Sequence, residues 1–201
     1  MSFSFLTLSK PIEEIAFKEK GSKFIGYAYP VNDENETKGI LEDLWRKYPD
    51  ATHICYAYRI GLEGERYRVN DDGEPSGSAG LPIYNQIVSK EITNVLVASV
   101  RYYGGTKLGV SGLVKAYKLS AQMVLEGAEI VEKHLTQKIR LEFSYEDQGS
   151  VMRLVDKFQA EVIFTEFTEK CLIEIRIRKE ILEKFLSAFE PLYDVKLLLT
   201  D

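Results

Sequence analysis

Val95-Leu-Val-Ala-Ser-Val-Arg-Tyr-Tyr-Gly-Gly-Thr-Lys-Leu-Gly-Val-Ser-Gly-Leu-Val-Lys115 is the stretch around which the chain is organised. Its apolar run over residues 95–100 reads as a strand and ends in Arg101-Tyr102-Tyr103. Gly104, Gly105, Gly109 and Gly112 then form a loop, and an amphipathic helix is expected over residues 110–126. No acid lies between Arg101 and Lys118, whereas Arg101, Lys107, Lys115 and Lys118 are all basic. Backbone N–H groups freed by glycines, beside a helix N-terminus and cationic side chains, make an anion or phosphate cradle. The loop has neither the Gly-x-x-x-x-Gly-Lys-Ser/Thr pattern nor Gly-x-Gly-x-x-Gly, so the two commonest nucleotide fingerprints are absent. The competing reading is structural: the glycines turn the chain and let a helix pack close to a strand.

The 201 residues suit one large domain or two small ones. Hydrophobic content of 45% and charged content of 28% are ordinary for a soluble globular protein. No apolar stretch reaches bilayer-spanning length, so no membrane partner is expected. The opening Met1-Ser2-Phe3-Ser4-Phe5-Leu6 has no basic region and soon meets Lys10-Pro11, which argues against a signal peptide. The two cysteines, Cys55 and Cys171, lack a Cys-x-x-Cys partner. That argues against a disulfide framework or a structural zinc site and is consistent with the cytoplasm. Net charge is −5, with 12 acids and 8 bases in residues 145–201, which leaves the rest near neutral and free to carry a local basic face.

Along the chain, residues 15–18 and 23–30 read as strands around Gly21-Ser22, and residues 33–48 as a helix ending before Pro49. Residues 52–60 read as a strand with Thr52, Ile54, Tyr56, Tyr58 and Ile60 on one face. His53, Cys55, Ala57 and Arg59 occupy the other. A turn returns the chain into residues 66–69. Then comes Asn70-Asp-Asp-Gly-Glu-Pro-Ser-Gly-Ser-Ala-Gly80, a loop with almost nothing to bury and hence a functional candidate. A helix is expected over residues 81–90, and residues 128–134 begin another extended segment. From Thr136 the pattern becomes strand, helix, strand, strand, helix, strand, which is the ferredoxin-like order. The expected division is residues 1–134 and 135–201.

Asp71, Asp72 and Glu74 offer three carboxylates that could hold Mg²⁺. Pro75 and Ser76 break the EF-hand spacing, and a solvated turn is the favoured reading, with no metal and no cofactor. Ser76 or Ser78 is the expected N-cap of the following helix. As nucleophiles they lack the Gly-x-Ser-x-Gly elbow. Of the two histidines, His53 and His134, His53 on the strand beside Arg59 reads first as a polar face residue, and it is kept as a candidate base on the expectation that it faces the same cleft as the acidic loop. Tyr102 and Tyr103 beside Arg101 suit base stacking in single-stranded nucleic acid, and equally suit sheet packing. In the C-terminal part, Arg176, Arg178 and Lys179 lie between Glu174 and Glu180 and read as a solvated strand edge.

The segment His53-Ile-Cys-Tyr-Ala-Tyr-Arg-Ile60, the loop from Asn70 to Gly80 and Val100-Arg-Tyr-Tyr-Gly-Gly-Thr-Lys-Leu-Gly109 together resemble the IMPACT family, also called the YigZ family. Gly21-Ser-Lys-Phe-Ile25 fits its N-terminal segment, and Ser78 stands where threonine is more usual. The resemblance implies an α+β protein with an N-terminal domain of the ribosomal protein S5 domain 2-like type. It also implies a ferredoxin-like C-terminal domain similar to the last domains of elongation factor G. Eukaryotic members carry an added RWD domain and regulate translation through a kinase pathway. This chain resembles the bacterial two-domain form, so that particular role is not carried over.

The resulting expectation is a non-enzymatic, cytoplasmic protein that contacts RNA, the ribosome or a translation factor. Its candidate phosphate-binding residues are Arg101, Tyr102, Tyr103, Gly104, Gly105, Lys107, Gly109, Lys115 and Lys118. Its candidate cleft residues are His53, Arg59, Asp71, Asp72, Glu74, Ser76 and Ser78. The alternatives are a Mg²⁺-dependent phosphate-ester hydrolase or small-molecule phosphotransferase, and a protein-interaction module with no anion site. Oligomeric state is left open by the sequence.

Overall fold

The computed structural model describes residues 3–200; Met1, Ser2 and Asp201, the outer ends of the two expected domains, lie outside the described residues. The described residues form two compact units, one over Phe5–Lys133 and the other over residues 134–200 with Phe3 and Ser4. Both are mixed α/β.

In the larger unit the elements run β1 (Ser4–Leu8), β2 (Ile12–Glu19), β3 (Ser22–Pro30), α1 (Glu34–Lys47), β4 (His53–Ile60) and β5 (Arg66–Asn70). They continue with α2 (Gly80–Ser89), β6 (Val95–Tyr102), α3 (Gly109–Glu126) and β7 (Ile130–His134). Five strands make an antiparallel sheet in the order β2-β3-β6-β4-β5, while β1 and β7 pair separately. The central β6 carries the apolar run, and seven of its eight residues are buried. Such a strand is covered on both faces, which is why it does not alternate apolar with polar.

Alternation decides what each face meets. Phe24, Ala28, Cys55, Ala57, Val95 and Val97 pack against Ile83 and Ile87 of α2 and Leu113, Ala116 and Tyr117 of α3. Ile25, Tyr27, Ile54, Ala98 and Val100 point the other way, toward Leu44 of α1. Asp33 caps α1 by accepting the Glu36 N–H at 2.9 Å, and Arg46 and Lys47 complement the dipole at its end.

The second unit comprises β8 (Thr136–Phe143), α4 (Gln148–Lys157), β9 (Glu161–Phe167), β10 (Cys171–Arg178), α5 (Leu182–Phe189) and β11 (Lys196–Thr200), with a 3-10 turn before α5. Its sheet runs β11-β8-β10-β9, every pair antiparallel. Ile139, Leu141, Phe143, Ile173, Ile175 and Ile177 line one face and bury against Val151, Val155, Phe185 and Phe189 of the two helices. The strand β1 was not anticipated: Phe3, Phe5 and Leu6 carry no turn signal to frame it, and its partner β7 lies more than a hundred residues away.

Candidate functional site

The acidic loop is built by its own side chains. The Asp71 carboxylate accepts the N–H groups of Gly77, Ala79 and Gly80 at 2.8, 2.9 and 2.9 Å. It thereby caps α2 from nine residues upstream, whereas Ser76 and Ser78, the expected caps, do not. Ser78 is buried and donates its hydroxyl to the Pro75 carbonyl at 2.6 Å, and Ser76 is exposed. Asp72 takes a left-handed conformation (φ 46°), receives the Ile54 N–H on its carboxylate at 2.6 Å and gives its own N–H to Asn70 Oδ1 at 2.7 Å. Two of the three acids are therefore engaged with backbone amides. Among the described residues, no three His, Cys, Asp or Glu side chains converge as a metal site.

This folding turns Glu74 inward. Its side chain is 4% exposed and forms an ion pair with Arg101, itself 6% exposed. The Tyr117 hydroxyl donates to the same Glu74 oxygen at 2.8 Å. Arg101 also donates to Ser22 Oγ at 3.3 Å, and its guanidinium lies 5.6 Å from the Phe24 ring and 5.7 Å from the Tyr103 ring. Its Nε is buried and has no hydrogen-bond partner among the described residues.

His53 completes the group. The Asp72 carbonyl can only accept, so the 2.6 Å contact puts a proton on His53 Nδ1. Nε2 then stands 3.8 Å from Glu74, too far for a hydrogen bond. Register places His53 directly opposite Arg101 across β4 and β6. Beneath them the Cys55 thiol donates to the Asp71 carbonyl at 3.1 Å. Burial pushes the Cys55 thiol and the Tyr117 phenol above their ordinary ranges, with the neighbouring carboxylates adding to it.

The glycine-rich loop meets the acidic loop across a cleft of about 420 Å³, lined by His53, Glu74, Pro75, Arg101, Tyr103, Lys107, Gly109 and Val110 among others. Gly104 has a structural reason. A Cβ there would come within 1.8 Å of the Gly21 carbonyl carbon and 2.2 Å of Ser22 N, so this turn can approach only a glycine. Gly105 and Gly109 sit at φ 85° and 71°. Helix α3 starts with no side-chain cap and no acid in its first turn. Its first N–H groups thus carry the positive end of an 18-residue helix without internal partners. Lys107, just before it, is exposed.

Not every expected residue converges. Tyr102 lies on the opposite face from Arg101; its hydroxyl donates to Asp50 at 2.9 Å and its ring packs edge-on to Tyr48. Lys115 borders a separate cavity of about 290 Å³ with Phe17, Glu19 and Lys20. Lys118 is exposed on α3 and lines neither. Arg59 is at the far end of β4, donating to the carbonyls of Ile92 at 2.9 Å and Glu63 at 2.5 Å. Sequence reasoning missed Tyr117 and Ser22. A tyrosine on the apolar stripe of a helix is the available signal, because its buried hydroxyl needs a partner.

A family model described as the Impact N-terminal domain matches residues 20–125. The chain is 32% identical over 151 residues to "IMPACT family member YvyE" of Bacillus subtilis, covering 75% of this chain and 69% of that one. It is 29% identical over 181 residues to an "IMPACT family member" of Haemophilus influenzae, covering 88% of each. A crystal structure titled only as that of a hypothetical protein shares the fold, with a TM-score of 0.73, 24% identity, and coverage of 100% of this chain and 99% of that one. No described helix is long and apolar enough to cross a membrane.

Proposed function

Because the chain belongs to the IMPACT family, we propose that it is a non-enzymatic, translation-associated protein that binds RNA by a phosphate held in the cleft between the acidic and glycine-rich loops. Kinship with the family points to the regulation of translation. The remaining sequence expectations belong to the same reading: residues 1–134 as an S5 domain 2-like domain, residues 135–201 as a ferredoxin-like one, and the ribosome or a translation factor as the other partners the sequence reading allows.

The observation that carries the reading is the start of α3: an uncapped, acid-free helix N-terminus opening, beside Lys107, into the cleft. Arg101 has a different part from the one its sequence position suggests. Buried and matched by Glu74, it holds the floor of the cleft and leaves the surface phosphate contact to Lys107 and the helix amides. The Mg²⁺-dependent alternative loses support for a matching reason, since Asp71 and Asp72 already hold backbone N–H groups.

Fluorescence anisotropy with a labelled single-stranded RNA at low salt tests this. Binding is expected for the wild type and weakened in Lys107→Ala, with Lys118→Ala, outside the cleft, closer to wild type. Absence of binding, or equal losses in the two variants, would refute a phosphate site at this cleft.

A further inference from the structure

We infer that the cleft takes one nucleotide unit at a time, its phosphate at the start of α3 and its base against Tyr103, as a free nucleotide or as an unpaired nucleotide of a strand. This rests on the proposed phosphate site and adds the identity of what is attached to the phosphate.

Three features set the size of the ligand. The first is charge. Among the described residues that line the cleft, Arg101 is paired with Glu74, and Lys107 is the lysine or arginine free of an ion pair. One free cation and one helix N-terminus match one phosphate group, not a track of them.

The second is the aromatic surface. Arg101 and Tyr102 end β6 and Tyr103 directly follows it; of the two tyrosines only Tyr103 reaches the cleft, since Tyr102 is spent on Asp50 and Tyr48. Tyr103 is 46% exposed, and Val110, at 57%, adds apolar surface to the same cleft. A single exposed ring serves one base, whereas proteins that follow a strand present several. The third is volume. About 420 Å³ lies near the low end of small-molecule sites, which run from about 300 to 1,000 Å³.

An independent sign that the cleft expects a polar guest comes from its floor. Arg101 is buried and lines the cleft, and its Nε has no hydrogen-bond partner among the described residues. Buried donors are nearly always paired, and this one is closed off as the cleft stands, so a polar guest would satisfy it only with a small shift of the Arg101 side chain.

The test is competition against a labelled single-stranded RNA, with AMP, ribose 5-phosphate, the unlabelled strand and the same strand in a blunt duplex. These are measured on wild type, Lys107→Ala, Tyr103→Ala and Tyr103→Phe. AMP is expected to outcompete ribose 5-phosphate by about 5- to 150-fold, the range that stacking on one aromatic ring contributes. The gap should close in Tyr103→Ala and persist in Tyr103→Phe, and the single strand should outcompete the duplex. Competition by AMP identifies a site open to free nucleotides. Tyr103-dependent binding of strands alone identifies an unpaired nucleotide within or at the end of RNA, and either supports the inference. If AMP equals ribose 5-phosphate and duplex equals single strand while Lys107→Ala still weakens binding, the phosphate reading stands and the nucleotide inference falls. If neither the labelled RNA nor a fluorescently labelled AMP binds, both fall.

Discussion

Replacing Glu74 by glutamine tests the physical basis of the cleft. The substitution keeps shape and an oxygen acceptor for the Tyr117 hydroxyl but removes the charge opposite Arg101. With side-chain exposures of 4% and 6%, neither partner has water to fall back on. Taking one member from a buried pair costs about 3–5 kcal/mol, because the remaining charge is left uncompensated. That is a large part of the 5–15 kcal/mol by which a typical protein is stable, as an order of magnitude. At about 2–4 °C per kcal/mol for a chain of this size, the melting temperature should fall by roughly 6–20 °C. Circular dichroism during thermal and urea unfolding reads it directly. The decisive comparison adds Arg101→Met and the double variant. With both charges gone the double variant should be more stable than the sum of the two single losses predicts, by about 2 kcal/mol or more. A cost below about 1 kcal/mol in Glu74→Gln, or strict additivity, would refute the view that this pair is a buried, mutually dependent unit.

Further outcomes follow from the same geometry. Asp71→Ala removes the acceptor of three backbone N–H groups and should cost about 3 kcal/mol in urea unfolding, with Asp71→Asn milder; equal, negligible losses would contradict its capping role. Gly104→Ala forces the Gly21–Ser22 turn aside and should cost about 2 kcal/mol or more, against about 1–2 kcal/mol for the left-handed but uncrowded Gly105→Ala. Melting curves that rank them the other way would contradict the close approach. The Tyr117 phenol is raised above its ordinary value, chiefly by burial, so folding favours its protonated form. The stability this carries is present below the free phenol's value of about 10 and lost as pH rises above it. Urea unfolding at pH 8 and at pH 10.5 should show a fall that is smaller in Tyr117→Phe, and an identical fall in both proteins would contradict the assignment.

The sequence carried much of the fold because its periodicities are strong. The two faces of β4 read from alternation, with Cys55 and Ala57 against Ile54, Tyr58 and Ile60, are the two faces that meet different helices. The six elements after Thr136 appear in the expected order, although the last helix is preceded by a 3-10 turn. The site was legible as two loops but not as a network. Charge counting marked Arg101 as a surface contact, and the same alternation that sorts β4 instead sends it inward while sending Tyr102 to the far face. The inward turn of Glu74 depends on Asp71 and Asp72 binding backbone amides across the loop, a set of contacts that no local propensity encodes. Nor could spacing separate Lys107 from Lys115 and Lys118. Helical geometry puts the last two beyond the first turn of α3, away from the cleft.

The most direct test of the cleft as a phosphate site is the salt dependence of RNA binding by the wild type and by Lys107→Ala. Each phosphate contact on a single strand contributes about 0.7 to the slope of log affinity against log salt. The slope is expected to flatten by about that amount in Lys107→Ala and to stay unchanged in Lys118→Ala. Equal slopes in the wild type and Lys107→Ala would mean that no phosphate is held there and would return the glycine-rich loop to a purely structural role.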